Sequence, residues 1–380
     1  MKYKPYNLED VKKASAQNKF TVISTFAGGG GSSTGYRLAG GKILCVNEFV
    51  GEARKTYKLN YPDTIIMPDD IKELTGKDFL ETAGIKEGEL DILDGSPPCS
   101  AFSMCGTLGK SGSKHSDGWG KTKKYSTGKI VENIEDLFFE YIRVAKDIRP
   151  KVIIGENVAG LDAGEAKQKK NQIFKAFEEI GYEVSYKILN SAYYGVPQSR
   201  RRLFFVAVRE DVLDKTDFLP MTIQNIFPIE NKEVVTAGDA LEGLELDPEE
   251  VKWCTDTWLE SAHYKDTASL MPDDPDKVLG GNDFHPKGWH FNVKKMSRYH
   301  PAPTVTTNAD ICHFIAKRRL TIREIKRIMA LPDDFIVTGS MSQKIERCGR
   351  MVPSLMMKAI AESVYKNVIE PYNEWSKNHV

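Results

Sequence analysis

The chain has 380 residues, 41% of them hydrophobic, enough for one large or two ordinary domains with a sizeable core. Its 53 basic and 53 acidic residues cancel, so net charge points to no partner class and only the placement of charge is informative. Six cysteines (45, 99, 105, 254, 312 and 348) lie without CxxC pairs, which argues for reduced thiols, against a disulfide scaffold and against a thiolate zinc site; no metal is expected. Residues 1–19 form a polar N-terminal extension without an apolar signal core, and no later run reaches membrane-spanning length. FTVISTF, 20–26, predicts a strand that runs into AGGGGSSTG and then YRLAG: strand, glycine loop, helix. KILCVNEF is a second strand ending at Glu48, and a helical stretch follows to Asn60. TIIMPDDI is a third strand-like run, and ELDILDGS a fourth that leads into SPPCSAFS. After a long loop, IEDLFFEYIRVAKDIRP has helical periodicity. KVIIGENV is a fifth strand, NQIFKAFEEIGY a helix, and EVSYKILNSAYYGVPQ and RRRLFFVAV two further strands.

Strands alternating with helices predict an α/β fold with a mostly parallel sheet covered on both faces. Ligands of such sheets bind at the carboxyl ends of the strands. The glycine loop, Glu48, Asp70, Cys99 and Glu156 all fall at such ends. Residues 20–210 are read as this domain. Residues 211–297 carry 18 Asp/Glu against 8 Lys/Arg, prolines recur, and the alternation stops, which predicts a second, smaller domain. From 298 to 380 the chain is basic and helical again and is expected to return to the first domain.

The residues themselves suggest chemistry. Glycines permit positive φ and close approach of backbone to a ligand. Glu48, about 20 residues after the loop, is placed to accept bonds from a ribose, and Asp70 to hold an adenine amine. The loop is not GxGxxG in its usual form, which favours S-adenosylmethionine over a dinucleotide. Ser96-Pro97-Pro98 reads as a stiff turn presenting Cys99. A nucleophilic thiolate needs nearby positive charge, which Arg200, Arg201 and Arg202 can supply. Glu156, after a run of apolar strand residues, is a candidate for a desolvated carboxyl that keeps its proton. The segment 107–129 has six lysines and one acid and is longer than ordinary connections, as expected of a lid drawn to phosphates.

Taken together, FAGGGG, NEF, DDI, PPCSAFS, GENV, YGVPQSRRR and the closing CGRMVPS, in this order, resemble the DNA cytosine-5 methyltransferases of bacteria and their phages. The resemblance spans about 20–210 and 298–365, and 211–297 sits where that family keeps its variable target-recognition domain. It implies a Rossmann-like, S-adenosylmethionine-dependent methyltransferase sheet and methyl transfer to C5 of a flipped-out cytosine in double-stranded DNA. Under it Cys99 adds to C6, Glu156 binds N3, Arg202 contacts the cytosine carbonyl, Arg200 supports a loop or phosphate, and Asn157 braces the Pro-Cys loop. Phe26, Ala27, Gly28, Gly30, Gly31, Glu48, Phe49, Asp70, Ile71, Gly95, Pro98, Leu137 and Val352 would form the cofactor pocket. Ser103, Lys110, Lys114 and Gln198 would meet DNA. Because the 211–297 region is acidic overall, its DNA face is expected to be local, around HPKGWH (285–290) and on to Lys294, Lys295 and Arg298, with the acids of 239–250 facing away. The resemblance further implies a monomer acting in the cytoplasm of a bacterial or phage-infected cell, without membrane contact. Two departures stand out: Ser100 where many relatives have glutamine, and Gly349-Arg350-Met351-Val352 where the family pattern is Gly-Asn-Ser-Val. The competing readings are a transfer-RNA cytosine methyltransferase, a catalytically silent DNA-binding relative, an insert at 211–297 that serves only protein contacts, and a dinucleotide oxidoreductase. The last leaves PPCS and GENV unexplained.

Overall fold

The computed structural model describes residues 2–97, 136–164, 166–216, 226–290, 292–307 and 310–379, and the backbone of 122–124 and 130–132. Cys99, Pro98, Ser100, Ser103, Lys110 and Lys114, and nearly all of the expected lid, lie outside the described residues.

The β-branched and aromatic runs form the strands expected of them. In chain order these are β1 (Phe20–Thr25), β2 (Gly41–Asn47), β3 (Ile65–Met67), β4 (Ile92–Gly95), β5 (Val152–Val158), β6 (Tyr182–Asn190) and β7 (Arg201–Arg209). They build one seven-stranded sheet in the order β3-β2-β1-β4-β5-β7-β6. The pairs β2–β3, β1–β2, β1–β4 and β4–β5 are parallel, whereas β5–β7 is antiparallel. The expected strand 183–198 stops at Asn190. There the Asn190 side chain accepts from the Ala192 N–H and starts a turn over Ser191–Tyr194.

Helices fill the connections: α1 (Gly31–Leu38), α2 (Gly51–Asn60), α3 (Gly76–Ala83), α4 (Leu137–Ile148) and α5 (Ala166–Glu178). Alternate strand residues face opposite ways. Ile23, Cys45, Leu93, Ile153 and Phe205 share one core with Phe79 of α3, Tyr141 of α4 and Phe177 of α5. Val22, Val46, Ile92, Ile154, Phe204 and Val206 point the other way and are also fully buried, so the sheet is apolar on both faces, as parallel sheets require. On that second face Tyr36 of α1 donates to Asp94, and Tyr365, in the C-terminal helices, packs on Phe20 with ring centroids 5.7 Å apart.

The chain divides into two compact units. The sheet unit comprises Lys12–Leu189, Arg201–Ile229 and Lys358–Val380, and the other comprises Met1–Val11, Asn190–Arg200 and Glu230–Met357. Residues 298–357 therefore cluster with 230–297, and only the terminal helices from Lys358 on belong with the sheet. The reason is visible in the packing of the second unit. Helix α6 (Pro248–Glu260) and helix α7 (Ile322–Ile328) are tied together by a hydrogen bond from Ile322 N to Glu250 Oε1 at 2.5 Å. Arg323 and Arg327 of α7 donate to the carbonyls of Glu245 and Ala240. The 239–250 stretch thus lies against the basic helix that follows the apparent boundary at 297, through its backbone and the Glu250 carboxylate, while Glu242, Glu245 and Glu249 are exposed. A small sheet of β8 (Leu279–Gly280), β9 (Lys294–Lys295) and β10 (Ile311–Cys312) completes the unit with helix α8 (Met341–Arg350).

Candidate functional site

Three residues of the β1–α1 loop have left-handed backbone: Phe26 at φ +52°, Gly28 at φ +56° and Gly30 at φ +101°. The N–H groups of Ala27, Gly28 and Gly30 are held by the Asn47 carbonyl, the Glu48 carboxylate and the Ala27 carbonyl, which fixes the loop in this shape. A Cβ added at Gly28 would meet nothing within 4 Å, so this glycine borders open space. A Cβ at Gly30 would sit 3.2 Å from the Tyr57 ring, so there the glycine lets α2 approach. Phe26 holds the same conformation without being glycine, and such strain concentrates at functional sites.

Glu48 locks this loop to the next strand. Its Oε2 accepts from Gly28 N at 2.8 Å and its Oε1 from Val50 N at 2.7 Å. The expected ribose acceptor is therefore also the residue that shapes the glycine loop. Asn47, which sequence reasoning passed over, donates to the carbonyls of Met67 and Asp69 and so joins the ends of β2 and β3. Arg54 of α2 donates to the Phe49 carbonyl at 2.6 Å, fixing the turn after Glu48. Asp70 is half-buried and accepts from Lys72 N at 3.1 Å, while Ile71 and Leu137 are buried beside it in the core cluster. Ala27 and Gly31 are buried in the loop itself.

At the other side of β1, strands β4 and β5 carry the remaining groups. Gly95 ends β4, and a Cβ there would lie 2.6 Å from the Tyr141 ring and 2.7 Å from Thr25 Oγ1. Tyr141 donates to the carbonyls of Leu93 and Ile154, pinning β4 to β5. Asn157 Nδ2 donates to the Pro97 carbonyl at 3.1 Å, so β5 holds the segment that leads to Cys99. Because β7 runs antiparallel to β5, its first residues lie beside the last of β5, with Val158 opposite Arg202. This brings Arg202 Nε to 2.9 Å from Glu156 Oε1, although 46 residues separate them in sequence. Their side chains are 17% and 12% exposed. Glu156 is thus one half of an ion pair and not the isolated acid expected from its apolar strand. Burial pulls the Arg202 guanidinium below its usual pKa, and Glu156 works against that.

Beneath the site lies an acid that the sequence reading missed. Asp94 is fully enclosed, accepts from Ser24 Oγ at 2.6 Å and from Tyr36 Oη at 3.0 Å, and burial pushes its pKa up to about 7, the charge of Glu156 adding to the rise. The available signal was its place in the strand run ELDILDG, one residue before Gly95, which did not say what would meet it.

In the second unit, Arg200 is buried and donates to the carbonyls of Val305 at 2.9 Å and Gly349 at 3.0 Å. Its role here is to join segments of the unit and not to touch a phosphate. Gly349 is required by the same contact: a Cβ there would lie 2.4 Å from the Thr306 carbonyl. Gln198 corrects an expectation. It is fully buried, accepts from Val305 N at 3.0 Å and donates to the Ile328 carbonyl at 3.3 Å, so it is an internal brace and offers DNA no surface. Lys295 is likewise buried, with its ammonium 2.6 Å from Asp273, and Arg298 is paired with Asp274 at 2.6 Å. Lys294 is half-buried, and Lys287 and Trp289 at the HPKGWH tip are exposed. Val352 is buried in this unit, and Arg350 pairs with Glu346 one turn earlier at 2.5 Å.

The model of the C-5 cytosine-specific DNA methylases matches residues 20–366. The chain belongs to that family. Similar proteins include the type II methyltransferase M1.HphI of Haemophilus parahaemolyticus, 30% identical with 91% of this chain and 87% of the relative covered. Another is M.Eco47II of Escherichia coli, 30% identical over 92% of this chain and 79% of that protein. Among solved structures, one described as a DNA modification methyltransferase encoded within an E. coli prophage superposes with a TM-score of 0.67 at 19% identity, covering 92% of this chain and 99% of that one. A DNMT2 variant of Spodoptera frugiperda gives 0.62 at 14% identity, covering 91% and 99%. These two likenesses establish the fold. The chain is accordingly a DNA cytosine-5 methyltransferase using S-adenosylmethionine, built on the α/β sheet that its sequence predicts.

Proposed function

We propose that the chain methylates C5 of a cytosine extruded from duplex DNA, with Cys99 as nucleophile, Glu156 and Arg202 on the pyrimidine, and the β1, β2 and β3 ends holding the cofactor. The observation that carries this reading is the bond from Asn157 to the Pro97 carbonyl. It anchors the approach to Cys99 on the residue next to Glu156. The thiol inventory supports the same assignment. Cys45, Cys254, Cys312 and Cys348 are buried, and burial pushes each thiol up to about 12, so none of them offers a thiolate at neutral pH. Cys105, the remaining thiol, lacks the Pro-Pro brace.

The residues present fit S-adenosylmethionine. The open space over Gly28 leaves room for a ligand against the loop, and Asp70 offers an acceptor at the next strand end. When bound, the cofactor supplies an electrophilic methyl group. Cytosine C5 is a poor nucleophile until the Cys99 thiolate adds to C6. The new S–C6 bond pushes the ring electrons toward C5; N3 takes a proton from Glu156, which draws it from solvent when the base is bound, and returns it to that carboxylate as the ring rearomatises. Arg202, held to Glu156, steadies both that carboxyl and the ring carbonyl. C5 then carries the methyl, loses its proton to a base or water, and the C6–S bond breaks to restore the aromatic ring and the thiolate. Extruding the base costs a few kcal/mol, so the site must hold it tightly.

The test is transfer of labelled methyl from S-adenosylmethionine to duplex DNA, with bisulfite sequencing to locate the modified cytosine. Glu156→Gln should lower the single-turnover rate by about 10²–10⁴-fold, the range for loss of a positioned acid–base group. A rate within threefold of wild type, roughly 0.7 kcal/mol, would remove Glu156 from the mechanism.

A further inference from the structure

Three of the seven histidines of the chain meet in the second unit, two of them at the ends of the HPKGWH tip. The rings of His263 and His290 have centroids 4.6 Å apart, as do those of His285 and His290. Asp266 joins them: one donor atom each from Asp266, His285 and His290 all lie within 4.8 Å of one another. Two short segments supply the set. His263 and Asp266 are three residues apart on the helical turn after Ser261, which places them on one face. His285 and His290 close a turn through Gly288, and His290 holds φ +60°, a strained choice for a residue other than glycine.

The outer contacts orient the rings as metal sites do. His290 Nδ1 lies 2.8 Å from Thr267 Oγ1, and His263 Nδ1 lies 3.3 Å from the buried carboxylate of Asp310. The Asp310 carboxylate accepts from Nδ1–H of His263 and leaves its Nε2 with the lone pair, and the Thr267 hydroxyl does the same for His290 when it accepts. We propose that Asp266, His285 and His290, with His263 as the adjacent fourth donor, form a site for a divalent transition metal, Zn²⁺ being the best match. Imidazole nitrogens with one carboxylate suit Zn²⁺ in tetrahedral geometry, whereas Mg²⁺ and Ca²⁺ prefer sets made of oxygen. The scattered cysteines bear on a thiolate site only and say nothing about this one.

Loading has a structural consequence. His285 Nδ1 accepts from Lys287 N at 3.1 Å and Trp289 N at 3.3 Å. If Nδ1 takes the metal, its lone pair is used. If Nε2 takes it, the neutral ring carries its proton on Nδ1. Either way both amides lose their acceptor, so the Lys287–Trp289 turn must rearrange. Trp289 is stacked on His285 at 5.6 Å and 14°, and reports the change.

The experiment uses the full chain, free of any affinity tag and stripped with chelator, titrated with ZnCl₂ by calorimetry and with CoCl₂ by visible absorption. One equivalent should bind, with the absorption of a four-coordinate nitrogen and oxygen site, and tryptophan fluorescence should change in a way that Trp289→Phe removes. His285→Gln paired with His290→Asn, asparagine tolerating positive φ, should weaken binding by at least the ~10–100-fold typical of outer-shell losses. Asp266 is exposed, so Asp266→Asn tests the same ligand set without disturbing a core, and His300→Gln, outside the cluster, should leave the titration unchanged. Absence of stoichiometric binding by the wild-type chain, or binding of wild-type strength in both ligand variants, overturns the proposal.

Discussion

Asp94 carries a consequence that can be measured without substrate. The folded state holds its proton up to about pH 7, whereas the unfolded chain releases it near pH ~4. The folded state therefore binds more protons between these values. The stability linked to this group is complete below about pH 4 and is lost as pH rises through about 7. Asp94→Asn keeps partners for Ser24 and Tyr36 and removes the titration. Thermal unfolding should show the variant gaining on wild type as pH goes from 5 to 8, and parallel curves would show that Asp94 stays uncharged or is paired in another way. Glu48 and Glu156 were legible in the sequence because each lies at or near the carboxyl end of a strand. Their distant partners were not: Gly28 N and Arg202 come from other segments, and strand order alone decides which segments are neighbours.

Glycines inside the strands show how closely the elements are fitted. A Cβ at Gly155 would lie 2.1 Å from the Phe205 ring, across the β5–β7 pair that brings Arg202 to Glu156. Gly155→Ala should cost roughly 1–3 kcal/mol or more by overpacking and lower the melting temperature. Gly51→Ala, at the start of α2 with its nearest neighbour Arg54 Nη2 at 3.7 Å, should be neutral or stabilising. Equal effects at the two positions would contradict the packing described. Strand existence and the mostly parallel sheet followed from β-branched runs spaced by helical stretches. The antiparallel β7 did not, since 191–198 reads as continued strand until Asn190 and Gly195, the latter at φ +78°, are seen to turn the chain.

The two compact units divide the chain differently from its composition. An acidic run and a basic run looked like separate domains, yet they cluster together: Glu250 accepts from the Ile322 N–H, Arg323 and Arg327 donate to the carbonyls of Glu245 and Ala240, and Asp274 pairs with Arg298. The same pairing changes which cations are available to DNA. Lys295 is committed to Asp273, leaving Lys287 and Lys294 as better candidates at the HPKGWH tip. Charge reversal at both should reduce the salt slope of duplex binding by about 0.9 per lost phosphate contact, and an unchanged slope would remove the tip from the DNA interface. The central claim concerns Cys99, which the family resemblance selected and the burial of four other thiols supports. It is tested most directly with duplex DNA carrying 5-fluorocytosine in the recognition site, incubated with the chain and S-adenosylmethionine. Fluorine at C5 cannot leave as a proton does, so the adduct should persist as a covalent protein–DNA species. Cys99→Ala should abolish that species and Cys105→Ala should retain it, whereas an adduct of undiminished yield in Cys99→Ala would contradict the assignment.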